Sequence, residues 1–132
     1  MVTNIKVLVI DDIAHIRRLV TRMLEQAGFT VIEAANGLEG LKRVEEQSPD
    51  IITCDVSMPV MDGHEFLREV KRNSKTQQIP VIIITAIGEQ VKKSSNTHQR
   101  ADAYLTKPFS ANRLIEVINK LLSAKVSSES AS

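Results

Sequence analysis

The sequence predicts an α/β fold, a five-stranded parallel sheet doubly wound by five helices. Three observations carry that prediction. Strand-like and helix-like segments alternate along the 132-residue chain, and strands separated by helices pair in parallel through right-handed crossovers. The strand-like runs are almost continuously apolar, the pattern of strands covered on both faces. No internal repeat and no linker to a second unit interrupts the alternation, so residues 1–124 read as one domain and 125–132 as a disordered tail.

The elements follow in order. "KVLVI" (6–10) is a first buried strand. Residues 14–26 place Ile16, Leu19, Val20, Met23 and Leu24 at helical spacing, and Gly28 ends that helix. "FTVIEA" (29–34) is a more polar strand, suited to a sheet edge. "ANG" turns the chain into a helix with Leu38, Leu41 and Val44 on one face. "DIITCD" (50–55) is the third strand, and Asp62-Gly63 turn into a third helix over 63–72 that buries Phe66, Leu67 and Val70. "IPVIIIT" (79–85) is the fourth strand and "AYLTK" (103–107) the fifth. Between these two, "GEQVKKSSNTHQR" (88–100) is the place for a fourth helix, although it has no apolar stripe after Val91 and mediocre helix propensity. Ser110 caps a last helix with Leu114, Ile115, Val117, Ile118, Leu121 and Leu122 on its buried side. The tail "SAKVSSESAS" is small and polar, with no reason to order.

Composition narrows the function classes. Apolar residues make up 42% and charged residues 25%, as in ordinary globular proteins. A net charge of +1 gives no field for nucleic acid or anionic membrane, and 3% aromatics leave little for base stacking. The single cysteine, Cys54, makes no internal disulfide and reads as a small core hydrophobe. No apolar run is long enough to span a bilayer. The first apolar stretch is followed by Asp11-Asp12 where a signal peptide would carry a small-residue cleavage site. The expectation is a cytoplasmic protein.

The chemistry collects at the strand ends. In an open parallel sheet, ligands bind beyond the carboxyl ends of the strands. Strand one ends in Asp11-Asp12, strand three in Asp55, strand four in Thr85 and strand five in Lys107-Pro108. Taken singly, Asp12 is a helix cap, Asp55 a turn residue before Met58-Pro59, Thr85 a strand-end hydroxyl and Lys107 a solvated charge. Their joint placement argues for more. Clustered carboxylates need a cation, and oxygen donors suit Mg²⁺. A carboxylate beside Mg²⁺ can attack a phosphoryl group while a lysine and a hydroxyl stabilise the transferred oxygens. The arrangement suggests an aspartyl-phosphate site.

"VIDD" closing strand one, "D-x-x-MP-x-MDG" after strand three, "ITA" after strand four and "Y-x-x-KPF" at strand five resemble the receiver domain of bacterial two-component response regulators over residues 5–122. The chain is most similar to the single-domain, chemotaxis-type members. The resemblance implies a flavodoxin-like sheet of strand order 2-1-3-4-5. It makes Asp55 the phosphoryl acceptor, Asp12 a direct Mg²⁺ ligand, Asp11 a ligand mainly through water, and the Ser57 carbonyl a further ligand. It makes Lys107 the partner of the phosphoryl oxygens, Thr85 and Tyr104 the switch pair, and the Lys107–Pro108 bond cis. Ser57 and Ile87 occupy positions where the family tunes dephosphorylation.

The implied partners are a sensor histidine kinase or histidine phosphotransfer protein, docking near helix one, and an output protein. The output protein would bind through the face formed by segment 88–100, strand five and the last helix. Arg17, Arg18 and Arg22 are either a solvated face of helix one or part of the donor's docking site. The function implied is a phosphorylation-dependent switch, not an enzyme acting on a separate substrate, that catalyses its own phosphotransfer and slow dephosphorylation.

The alternatives separate on motif placement. A Mg-dependent aspartyl-phosphate phosphatase of the haloacid dehalogenase type places D-x-D after strand one, whereas here the two aspartates are contiguous and the candidate nucleophile follows strand three. A flavodoxin-like binder needs a Ser, Thr or Gly-rich loop where "DDIAHIRR" stands. A pseudo-receiver scaffold would lack functional residues that are all filled. His15, His64 and His98 show no metal spacing and read as exposed, and Met58 and Met61 read as packing. Arg100 departs from the resemblance, because many receivers carry a helix-ending glycine there.

Overall fold

The computed structural model describes residues 4–86 and 101–131. The elements are β1 (Lys6–Ile10), α1 (Ala14–Gln26), β2 (Thr30–Ala34), α2 (Gly37–Gln47), β3 (Ile51–Asp55), α3 (Gly63–Arg72), β4 (Val81–Ala86), β5 (Ala103–Lys107) and α4 (Ala111–Ala131). All neighbouring strands are parallel, and their order is β2-β1-β3-β4-β5. The more polar β2 is an edge strand, as its composition suggested.

Side-chain alternation along the strands sorts the core into two layers. Leu8, Ile10, Ile52, Cys54 and Ile83 face one side, where Val44 of α2 and Phe66, Leu67 and Val70 of α3 cover them. Val7, Val9, Ile51, Ile82, Ile84 and Leu105 face the other, under Val20 and Leu24 of α1 and Leu114, Val117 and Ile118 of α4. The long apolar runs of β1, β3 and β4 are therefore explained by the two-sided cover.

Several expectations need correction. Four helices stand among the described residues rather than five, and the segment 88–100 assigned to the missing one lies outside them. The last helix continues to Ala131, through residues assigned to a disordered tail. Leu19 and Leu38, placed on the buried stripes of α1 and α2, are 52% and 57% exposed. Strand β4 starts at Val81 rather than residue 79. Pro80 has no N–H for a ladder, and the Val81 N–H instead donates to Asp102 Oδ2 at 2.8 Å.

Thr53 breaks the apolar pattern inside the sheet. It is 1% exposed, and its hydroxyl has no partner. Its register neighbours Val9 and Ile82 both belong to the layer under α1 and α4. A buried hydroxyl without a hydrogen bond costs about 1–3 kcal/mol, so Thr53→Val is expected to stabilise the fold by about 1 kcal/mol. Urea unfolding measures this, and a variant less stable than the parent would show that the hydroxyl is satisfied in solution.

Candidate functional site

Sheet register builds the site. Ile10 lies opposite Cys54, so Asp11, the residue after β1, comes level with Asp55 at the end of β3. Asp55 in turn lies opposite Ile84, and Ala86 opposite Lys107. Carboxylate oxygens of Asp11, Asp12 and Asp55 all fall within 4.8 Å of one another. Asp11 and Asp55 are buried and Asp12 is exposed, so the cluster opens to solvent on one side. Lys107 reaches in from β5 and pairs with Asp55, Nζ to Oδ1 at 2.8 Å. Thr85 is buried one residue past Ile84 on the strand between them.

Asp12 does not cap α1. The cap position is Ile13, with no side-chain capping bond. Asp11 Oδ1 accepts from the Ile13 N–H at 2.9 Å, a local turn that shapes the β1–α1 loop. The helix-cap explanation for the paired aspartates therefore fails, and Asp12 is held at the crevice with its carboxylate toward the other two. Three carboxylates this close repel one another unless a cation joins them. The donors are all oxygen, the set that a hard divalent cation such as Mg²⁺ takes. Asp11, Asp12 and Asp55 are the residues that would hold it.

The β3–α3 loop is built tightly around Asp55. Asp62 caps α3 by accepting from the Glu65 N–H at 2.9 Å. The Gly63 N–H donates to the Val56 carbonyl at 3.0 Å, and a Cβ at Gly63 would stand 2.6 Å from the Asp55 carbonyl oxygen. Only glycine fits that approach, so its role exceeds the turn inferred from sequence. Met61 N–H donates to the Pro59 carbonyl at 2.8 Å across Val60, whose φ is 72°. That is a tight three-residue turn in a strained region for a β-branched residue. Met58 and Met61 pack against the core, as expected.

Other assignments are placed as follows. The Lys107–Pro108 bond is cis. Ser57 is exposed in the loop two residues past Asp55. Tyr104 is 39% exposed, and its hydroxyl accepts from the Ala101 N–H at 3.4 Å, toward the amino end of β5 and away from Lys107. Cys54 is fully buried, and burial first, then the nearby Asp55, Asp11 and Asp62 charges, push its thiol well above its ordinary pKa. It is an inert core residue. His15 is exposed, His64 is half-buried rather than exposed, and His98 lies outside the described residues.

Arg17 is the residue that sequence reasoning misjudged. Arg18 and Arg22 are exposed, as a solvated or a docking face requires. Arg17 instead folds back onto β2, with Nε bonded to Glu33 Oε1 at 2.8 Å and Nη1 donating to the Asp11 carbonyl at 2.8 Å. The pairing of β2 with β1, which puts Glu33 opposite Val9, was the signal that sequence spacing alone does not supply.

A doubly wound sheet with an acidic trio and a lysine at its carboxyl edge belongs to the α/β domains that build their site beyond the strand ends. The response regulator receiver domain model matches residues 7–119, and the chain belongs to that family, the receivers of two-component systems. It is 36% identical over 118 residues to the chemotaxis protein CheY of Bacillus subtilis, covering 89% of this chain and 97% of that protein. It is 37% identical over 117 residues to the phosphate regulon transcriptional regulatory protein PhoB of Escherichia coli, covering 89% of this chain but only 51% of that protein. Among solved structures, the chemotaxis response regulator CheY4 of Vibrio cholerae superposes with a TM-score of 0.81 at 34% identity, over 90% of this chain and 99% of that one. The receiver domain of the sensor histidine kinase PA1611 of Pseudomonas aeruginosa, which has a magnesium ion coordinated in its active-site cleft, gives 0.83 at 25% identity, over 92% and 99%.

Proposed function

We propose that this receiver domain is a switch that accepts a phosphoryl group on Asp55 from a phosphorylated histidine of a partner protein. The observation that carries the reading is the meeting of Asp11, Asp12 and Asp55 within 4.8 Å, with Lys107 paired to Asp55. An Asp55 oxygen attacks phosphorus, the phosphorus–nitrogen bond of the donor breaks, and the imidazole leaves with the bonding electrons. The product is a mixed anhydride, and water later cleaves it to the carboxylate and inorganic phosphate. Lys107 neutralises charge on the transferred oxygens, and the Thr85 hydroxyl donates to one of them. A bound Mg²⁺, held by Asp11, Asp12, Asp55 and the Ser57 carbonyl, would add charge neutralisation at the same oxygens. The domain thus catalyses its own modification and is not an enzyme for a separate substrate.

The signal leaves by the far side of the same residues. Thr85 shifts toward the phosphoryl group and Tyr104 leaves its exposed position to fill the space behind it. The output partner binds a face that includes β5 and α4, and responds because it prefers one state. The donor protein docks beside α1, where Arg18, Leu19 and Arg22 are exposed. Neither nucleic acid nor membrane is a direct partner in this reading, and the protein acts in the cytoplasm. Incubation with Mg²⁺ and acetyl phosphate is expected to add one phosphoryl group by intact mass, and both chelation and Asp55→Asn are expected to abolish it. An adduct that survives Asp55→Asn would overturn the assignment.

A further inference from the structure

The contacts around Asp11 show how the acidic trio is aimed. Its N–H donates to the Ala34 carbonyl at 3.2 Å, the last rung between β1 and β2. Its carboxylate accepts from the Ile13 N–H. Its carbonyl accepts from Arg17 Nη1 at 2.8 Å. That carbonyl lies in the plane of the Asp11–Asp12 peptide, and a peptide plane is rigid. Whatever holds the carbonyl therefore sets the direction in which Asp12 leaves β1.

Arg17 is itself held. Its Nε bonds Glu33 Oε1 at 2.8 Å, and its side chain is only 16% exposed. The guanidinium is a planar fork, and here its two prongs join the edge strand to the first loop. A lysine would have to reach both acceptors from a single nitrogen, without the spacing that the fork provides. Glu33 is steadied in turn by its position on β2, and Arg43 Nε reaches its backbone carbonyl at 3.4 Å.

We propose that Arg17, braced by Glu33, is a positioning residue that fixes the Asp11–Asp12 peptide so that both carboxylates converge with Asp55 on a divalent cation. This rests on the reading of the trio as a cation site. Partners that orient metal ligands typically contribute 10–100-fold to affinity. Simple electrostatics predicts the opposite sign, because removing a positive charge near three carboxylates should tighten cation binding.

Calorimetric titration of the intact chain with Mg²⁺ separates these accounts. Arg17→Ala is expected to weaken Mg²⁺ binding about 10-fold or more. Arg18→Ala, the same charge change at an exposed position of the same helix, is expected to leave it unchanged or slightly tighter. Glu33→Gln, which keeps an acceptor for Nε, should retain most of the affinity, and Arg17→Lys should fall between. If Arg17→Ala does not fold, Arg17→Lys and Glu33→Ala carry the comparison, with thermal melts without metal confirming that they are folded. Parental affinity in folded Arg17 variants would overturn the proposal, as would equal weakening by Arg18→Ala. No Mg²⁺ binding by the parent protein would instead overturn the cation site on which it rests.

Discussion

Gly63→Ala is expected to slow phosphorylation of Asp55 about 10²-fold and to lower stability by about 1–3 kcal/mol. The added Cβ would stand 2.6 Å from the Asp55 carbonyl oxygen and 2.9 Å from the Val56 Cα. Both are backbone atoms, so no rotamer change relieves the contact. Either α3 moves off the sheet, where Phe66 and Leu67 are packed, or the peptide after Asp55 shifts. The first route loses core packing, and the second displaces the acceptor carboxylate from Asp11, Asp12 and Lys107. Urea unfolding and the rate of acetyl phosphate-dependent modification measure the two effects. Parental values for both would show that the loop after Asp55 is looser than the geometry implies.

Lys107→Ala is expected to separate cation binding from phosphotransfer. The Nζ–Oδ1 distance of 2.8 Å makes the lysine the counter-ion of Asp55. Removing it leaves the acidic trio with a greater need for a cation, so Mg²⁺ should bind more tightly. The same change removes a donor for the charge that spreads over the transferred oxygens, and such losses cost about 10²–10³ in rate. Tighter Mg²⁺ binding together with slower modification is the signature. Unchanged modification rates would mean that Lys107 serves the fold and not the transfer.

Much of this was legible in the sequence because the fold puts its chemistry at strand ends. Apolar runs mark β1, β3 and β4 without ambiguity, and the residue that closes each run is then at the crevice by construction. Asp11, Asp12 and Asp55 were found that way, and Lys107 as the last residue of the less apolar β5. What escaped depended on contacts between elements. Arg17 looks like any charged helix residue until β2 is laid against β1 and Glu33 comes within reach. Leu19 and Leu38 fit a helical stripe, yet each falls at its margin, and the turn of the helix leaves it in solvent. The constraint on Gly63 comes from backbone atoms of the preceding strand, which no local propensity reports. The Asp62 cap has a local signal, a D-x-x-E start just before an apolar stripe, although the sequence reading takes Asp62-Gly63 only as a turn.

The central claim is that Asp55 forms a covalent acyl phosphate. Borohydride reduces an acyl phosphate to the alcohol, turning a phosphorylated aspartate into homoserine while leaving free carboxylates intact. Treating the protein with Mg²⁺ and acetyl phosphate, then borohydride, and sequencing the peptides by mass should find homoserine at position 55, and at neither Asp11 nor Asp12. Homoserine at either of those positions, or none at position 55 in protein shown to carry phosphate, would contradict the account.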